Sequence, residues 1–386
     1  MKNKFLIFIF LLFSFVLMDC SKNSILNDAL YFSQPIEEDA APTITKPDNY
    51  DWKLDGIWVI GGRKDTTNLI NTIDVYDPYE DEWHENVTTL PIPTPVRNAF
   101  ITSYYDYATG HYKIYIMGGI NSGGAVINTV QEYNVTTDTW TTLPAGDNVP
   151  ASAPKQGGGV VKLNSNIYIF GGSTANSAAS PVQTAFMFMP YNSSGSRWSA
   201  SMGNMIATAL SDFGFVILDG EIIVGGGRTN AGAPTNQLSG FYPTSKLAIA
   251  ATSFSVLKVS RYGLSASVYY DTSIGTARVF FIGGTNVTNT GQPPVTLAVT
   301  SKVDIYVPYS ENGIRVMVDG PNLNQARAYH SSVTKGNYIF VFGGLISSST
   351  LTNSVERLNA SSSNPRWRFV KPMPTPRYGF SAITLR

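Results

Sequence analysis

Five basic side chains recur in similar surroundings: Arg97, Lys155, Arg261, Arg327 and Arg377. Each comes just before a short run of small and apolar residues that reads as a strand. A guanidinium or ammonium at one repeated place on a rigid frame suits a receptor for a carboxylate or another anion, because arginine offers a planar fork of donors to an oxyanion. The competing reading is architectural, with each basic group pinning a neighbouring segment through its carbonyls. In the fourth member of the series Leu210 stands near that register, so a ring of such cations would have a gap there.

Other chemistry is poorly supplied. Three histidines, His84, His111 and His330, fall in different repeats, so no multi-histidine metal site is expected. His84 and His111 read as solvated turn residues and His330 as a packed or hydrogen-bonded strand residue. Cys20 is the single cysteine, which rules out an intrachain disulfide and cysteine-based metal or haem attachment. No nucleophile elbow, phosphate loop or HExxH helix is present. Gly157-Gly158-Gly159 and Gly225-Gly226-Gly227 open no helix and fall inside the repeat pattern. No cofactor is expected. Net charge is zero, with 27 Lys+Arg against 27 Asp+Glu, which excludes a nucleic acid or anionic membrane held by bulk charge.

The elements that must position the basic residues repeat along the chain. An apolar run ending in Gly-Gly occurs as Ile57 to Gly62, Ile114 to Gly119, Ile167 to Gly172, Ile222 to Gly226, Val279 to Gly284 and Ile339 to Gly344. The first glycines are 57, 53, 54, 58 and 60 residues apart, a period that marks a repeat architecture. After the pair comes an alternating strand, as in Asn71-Thr72-Ile73-Asp74-Val75-Tyr76. A tryptophan then recurs as Trp83, Trp140, Trp198 and Trp367; in the fourth and fifth repeats Phe254 and Ile314 or Val316 are its expected substitutes.

These elements together resemble the kelch repeat of the galactose oxidase/kelch superfamily, over residues 51–386. The resemblance implies an all-β, six-bladed kelch-type β-propeller in which each blade is a four-stranded antiparallel sheet around a central channel. The first Gly-Gly comes too early for blade one to hold its own first strand. The chain ends on Pro376 to Leu385, a first-strand motif with no Gly-Gly after it. The C-terminal strand is therefore expected to complete blade one and close the ring. The polar loops after each Gly-Gly open on one face, where recognition usually sits. Copper oxidase chemistry of the galactose oxidase kind needs paired histidine ligands and a tyrosine cross-linked to a cysteine; with no cysteine beyond Cys20 and only three histidines, it is not expected here.

Lys2, Lys4 and the apolar run Phe5–Met18 read as a secretory signal peptide over 1–20, followed by a flexible linker over 21–50. Cys20 has two readings: a lipidated anchor, with Leu17 before it but Asp19 where a small residue is usual, or an inert residue of the cleavage region. No later stretch is apolar enough to span a membrane. Five sequons, at Asn86, Asn134, Asn192, Asn286 and Asn359, match the number that composition alone gives, and serve as acceptors in a eukaryotic host. The expected function is an exported module, secreted or at the cell surface, that binds a protein or glycan at the channel mouth. The alternative is a sugar-modifying enzyme of sialic acid mutarotase type, with Asp212 and Arg228 as its acid–base and carboxylate-holding groups.

Overall fold

In the computed structural model, residues 44–386 are described, apart from 66, 176–179, 250–253, 273–274, 289–296 and 309–314. The signal segment and Cys20 lie outside them. The described chain is almost wholly β. A short α-helical turn, α1 (Trp52–Asp55), is capped by Asp51 and leads into β1, and a 3-10 turn spans Ala145–Asp147.

Six sheets are arranged as six blades. Blade one holds β1 (Ile57–Ile60), β2 (Ile73–Asp77) and β3 (Glu82–His84). Blade two is β4 (Phe100–Asp106), β5 (His111–Met117), β6 (Val130–Asn134) and β7 (Thr139–Thr142). Blade three is β8 (Gly159–Leu163), β9 (Asn166–Phe170) and β10 (Ala185–Phe188). Blade four is β11 (Gly214–Leu218), β12 (Glu221–Gly225), β13 (Leu238–Tyr242) and β14 (Leu247–Ile249). Blade five is β15 (Ser265–Asp271), β16 (Thr276–Ile282), β17 (Val303–Val307) and β18 (Val316–Asp319). Blade six is β19 (Ser331–Lys335), β20 (Tyr338–Phe342), β21 (Val355–Asn359) and β22 (Trp367–Val370). The innermost strand of blade one is β23 (Ser381–Thr384), which pairs antiparallel with β1 in the register Ile57↔Thr384 to Ile60↔Ser381. The ring is closed by the last strand, as the early first Gly-Gly requires. Closure is reinforced by a lock between the chain ends. Arg386 donates to both oxygens of the buried Asp55 carboxylate at 2.9 and 2.6 Å and to the Asn49 carbonyl at 2.8 Å. These contacts, and the packing of Ile44 on the blade six–blade one core, tie the segment before β1 to the propeller.

The glycine pairs hold blade to blade. The second glycine of each donates its N–H to the carbonyl at the entrance of the next blade: Gly62 to Val96, Gly119 to Lys155, Gly172 to Leu210, Gly227 to Arg261, Gly284 to Arg327 and Gly344 to Arg377. A side chain would not fit. A Cβ on Gly62 would lie 2.9 Å from the Tyr378 carbonyl oxygen and 2.6 Å from Phe380 Cβ, at a φ of +89°. In blade four the pair that plays this part is Gly226-Gly227, both at positive φ, while Gly225 is the last residue of β12. The sequence offers three glycines there, and the pair read from it is one residue early.

The tryptophans fill the outer wedges. Each indole N–H donates to a carbonyl of the connection entering its own blade: Trp83 to Lys371, Trp140 to Leu90, Trp198 to Asp147 and Trp367 to Pro321. In blades four and five the matching positions on the outer strand hold Ala248, opposite Phe241, and Met317, opposite Tyr306. Phe254 fills its wedge from the connecting loop instead, with its ring 6.0 Å from Tyr306. Val316 pairs with Val307, and Ile314 lies outside the described residues.

A second ring surrounds the channel. Asn98, Gly157, Asp212, Gly263, Tyr329 and Gly379, one from each blade, all adopt φ between 54° and 63°. Each donates its backbone N–H to the carbonyl of the preceding member at 2.7–3.1 Å, and Asn98 closes the circle onto Gly379. Glycines alternate with larger residues because each larger side chain lies over a glycine. A Cβ on Gly379 would stand 2.3 Å from the Asn98 amide oxygen, one on Gly157 2.9 Å from an Asp212 oxygen, and one on Gly263 3.2 Å from the Tyr329 ring.

Candidate functional site

The backbone ring brings Asn98, Asp212 and Tyr329 to one end of the channel. They border a cavity of about 300 Å³ that runs along the innermost strands. Its two sides differ. Blades two, five, six and one present hydroxyls, among them Thr102, Ser265, Ser332 and Ser381, beside apolar Ile101, Leu264, Phe380 and Ile383, whereas blades three and four present Val160, Phe213 and Phe215 beside Asp212. The cavity therefore offers hydrogen-bonding and apolar groups together, with its hydroxyls confined to blades two, five, six and one.

Asp212 is held by Arg228 at 2.8 Å, with both side chains buried. The pairing of these two residues, left open by the sequence, follows from adjacent β-bridge positions: Ser211 bridges Arg228, which places Asp212 beside the guanidinium. Burial opposes the charge on Arg228, but Asp212, Tyr329 and Tyr262 outweigh it and raise its pKa. The guanidinium lies 5.1 Å from the centre of the Tyr262 ring, which meets Tyr329 edge-on. Burial pushes the Tyr262 phenol up to about 12, and burial followed by the Asp212 charge drives Tyr329 well above its ordinary value. Both phenols stay protonated at neutral pH and can donate.

His330 also touches the cavity, with Nε2 2.9 Å from Ser265 Oγ. The pair has the spacing of a nucleophile and its base. The environment opposes that use: burial, with Arg327 adding to it, depresses the imidazole pKa to about 3. Among the described residues no carboxylate stands behind the ring to stabilise a cation. The pair is a hydrogen bond between neighbouring blades, like the Ser267–Ser332 hydroxyl contact beside it. His84 does not sit free in a turn: it ends β3 and stacks on Trp52 at 3.8 Å. His111 opens β5 and bonds Asn134. Among the described residues no group of three or more metal-capable side chains comes together.

The five basic residues do not form one set. Arg261, Arg327 and Arg377 are fully buried and reach back to the third strand of their own blade, where they pair with Asp304 at 2.8 Å, Glu356 at 2.7 Å and Asp74. They also satisfy carbonyls: Arg261 donates to Phe281, and Arg327 to Gly343 and Ser354. Burial lowers the pKa of all three, and each paired carboxylate acts against that. These guanidiniums are framework pins facing into the blades, so an anion receptor built of them at the channel mouth does not exist. Lys155 has the same backbone position but no acid opposite. Its ammonium donates instead to the Ala151 and Ala153 carbonyls. Arg97 lies one residue further along: Val96 holds the pin position, and Arg97 aligns with Gln156, Ser211, Tyr262, Ala328 and Tyr378. That single step turns it away from the blade interior toward Tyr378, Arg63, Asp212 and Tyr329.

The five asparagines of the sequons also divide. Asn86 and Asn286 are exposed. Asn134, Asn192 and Asn359 are half-buried, with their amides engaged in local turns. No helix among the described residues is long and apolar enough to cross a membrane.

A family profile for the Kelch motif matches residues 102–145 and 326–374, which fall in blades two and six. The solved structure of YjhT superposes with a TM-score of 0.60 at 14% identity, covering 84% of this chain and 99% of the other. The protein is a kelch-repeat six-bladed propeller. Beta-scruin of Limulus polyphemus is 23% identical over 134 residues, which is 33% of this kelch propeller and 13% of that protein's length.

Proposed function

We propose that this kelch propeller is a binding module that holds a small hydroxylated ligand, of single-sugar size or the end of a glycan, in the channel cavity. The observation that carries this is the mixed lining. A sugar presents hydroxyls at its rim and C–H groups on its faces, and the cavity presents serine and threonine hydroxyls together with Phe213, Phe215 and Val160. A volume of about 300 Å³ is at the small end of ligand pockets. Export, a glycan on the exposed Asn86 and Asn286, and a lipid on Cys20 belong to the same reading of a module working outside the cell.

Calorimetric titration with a panel of monosaccharides and short oligosaccharides tests it. Saturable binding is expected in the wild type, and Ser381→Phe, which fills the cavity, should remove it while the melting temperature stays close to the wild-type value. Binding that persists in the filled variant, or no binding to any member of the panel, overturns the reading.

A second reading rests on Asp212. Its carboxylate borders the cavity and is oriented by Arg228. A positioned carboxylate can move the proton of a sugar hemiacetal during ring opening, the step needed by a sialic acid mutarotase. Anomer exchange followed by NMR should then be accelerated by the protein and lost in Asp212→Asn; equal rates with and without protein reject it.

A further inference from the structure

Arg97 is 2% exposed, and its Nη1 has no hydrogen-bond partner. Among the described residues its guanidinium makes no ion pair. Arg63 lies beside it, half-buried, with a buried and unpartnered Nε. The Arg97 charge is also near Tyr378, Asp212 and Tyr329. Asp212 is already taken by Arg228. Arg97 and Arg228 thus share one carboxylate at this end of the channel, with Arg63 beside Arg97. The other three buried arginines of the propeller each have an acid within hydrogen-bond reach. A buried cation without one is costly unless an anion arrives to neutralise it.

We propose that Arg63 and Arg97 form an oxyanion subsite at the channel mouth, taking a carboxylate or sulfate carried by a small ligand. The fork of Arg97 supplies the in-plane donors, and Arg63 is the more exposed member that an incoming anion meets first. The Tyr329 phenol lies near the Arg97 guanidinium, and Asn98 follows it in the chain and borders the cavity. The subsite therefore adjoins the cavity of the preceding section, and where a ligand fills both it is an acidic sugar or similar compound; that extension rests on the sugar-binding reading, while the subsite does not.

The decisive experiment compares acetate, sulfate and chloride at equal ionic strength by thermal unfolding. Acetate or sulfate should raise the wild-type melting temperature in a saturable manner, because a ligand held only by the native state stabilises it. Arg97→Met and Arg63→Gln should each lose that rise, while Arg327→Met, at an already paired arginine, keeps it. No oxyanion-specific rise in the wild type, or a rise retained in both subsite variants, overturns the proposal. Glucuronate and glucose 6-sulfate against glucose then separate the two readings. Both acidic sugars should bind at least about tenfold tighter than glucose, with the advantage removed by Arg97→Met. Weak binding of all three sugars with the oxyanion shift intact defeats the cavity reading alone.

Discussion

Blades five, six and one solve the same packing problem as blades two, three and four in a different way. In the first group an arginine at the blade entrance meets an acid on the third strand: Arg261 with Asp304, Arg327 with Glu356, Arg377 with Asp74. In the second group the matching pairs of positions hold Val96 and Gln131, Lys155 and Phe186, Leu210 and Ser239. One half of the ring buries ion pairs, and the other buries none there. The acid has a second duty that survives its replacement. Glu356 accepts from the Asn324 and Gln325 amides, while Gln131 both accepts from and donates to the Thr94 backbone. Across the six blades the arginine occurs at this position only where the acid does. That fits the energetics of buried pairs, which break roughly even against apolar packing when replaced whole but are costly to halve.

The comparison breaks most completely if the paired half loses its last element. Deleting residues 377–386 removes Arg377, β23 and the Arg386 lock, and a cooperative thermal transition should disappear by calorimetry. A smaller effect comes from halving one pair. Arg377→Ala should cost about 3–5 kcal/mol, whereas Arg377→Met with Asp74→Leu should recover most of it. Lys155→Ala, in the unpaired half, should move the denaturant midpoint little, since its ammonium bonds only carbonyls at a partly exposed site. Equal losses for Arg377→Ala and Lys155→Ala would show that the two halves do not differ.

Acid sharpens the same contrast. His330 sits in the paired half, with a folded pKa of about 3 against an ordinary value of 6.5. Between those values the unfolded chain binds a proton that the native imidazole refuses, so stability must fall as pH drops through that window. The slope amounts to about 3 kcal/mol from pH 6.5 to pH 4. Hydrogen exchange at pH 4 should show blades five and six opening before blades two and three. His330→Gln should flatten the dependence, and an unchanged slope in that variant would assign it to other groups.

Much of the architecture is legible in the residues. The Gly-Gly pairs gave the blade number because the backbone contact at the second glycine admits no side chain. The missing first strand of blade one and the unpaired motif at Pro376–Leu385 foretold the closure. Register was the weak point. Three consecutive glycines hid which two act in blade four, and Val96-Arg97 placed a basic residue one step from the pin position. An error of one residue turns a side chain to the other face of its strand, and here it merged the unpaired Arg97 with three framework pins. The missing signal was present in Asp74, Asp304 and Glu356, acids at one strand position in the same blades that carry the arginines. Arg63 and the outward turn of Arg97 depend on contacts between blades one, two, four and six, which no local pattern records.

The closure by β23 also sets an order in time. During synthesis β1 is among the first of these strands to emerge, yet the partner for its inner edge, Ser381–Thr384, comes after all the others. Until β23 is made, Ile57–Ile60 keep one row of backbone groups unpaired, and the apolar edge of an incomplete blade one faces the solvent or a chaperone. The native seam joins β1 to β23, the strand pair of the propeller farthest apart in sequence, and such contacts are late and slow to form. A chain released before β23 is made would thus hold five complete or nearly complete blades and a sixth that waits for its missing strand.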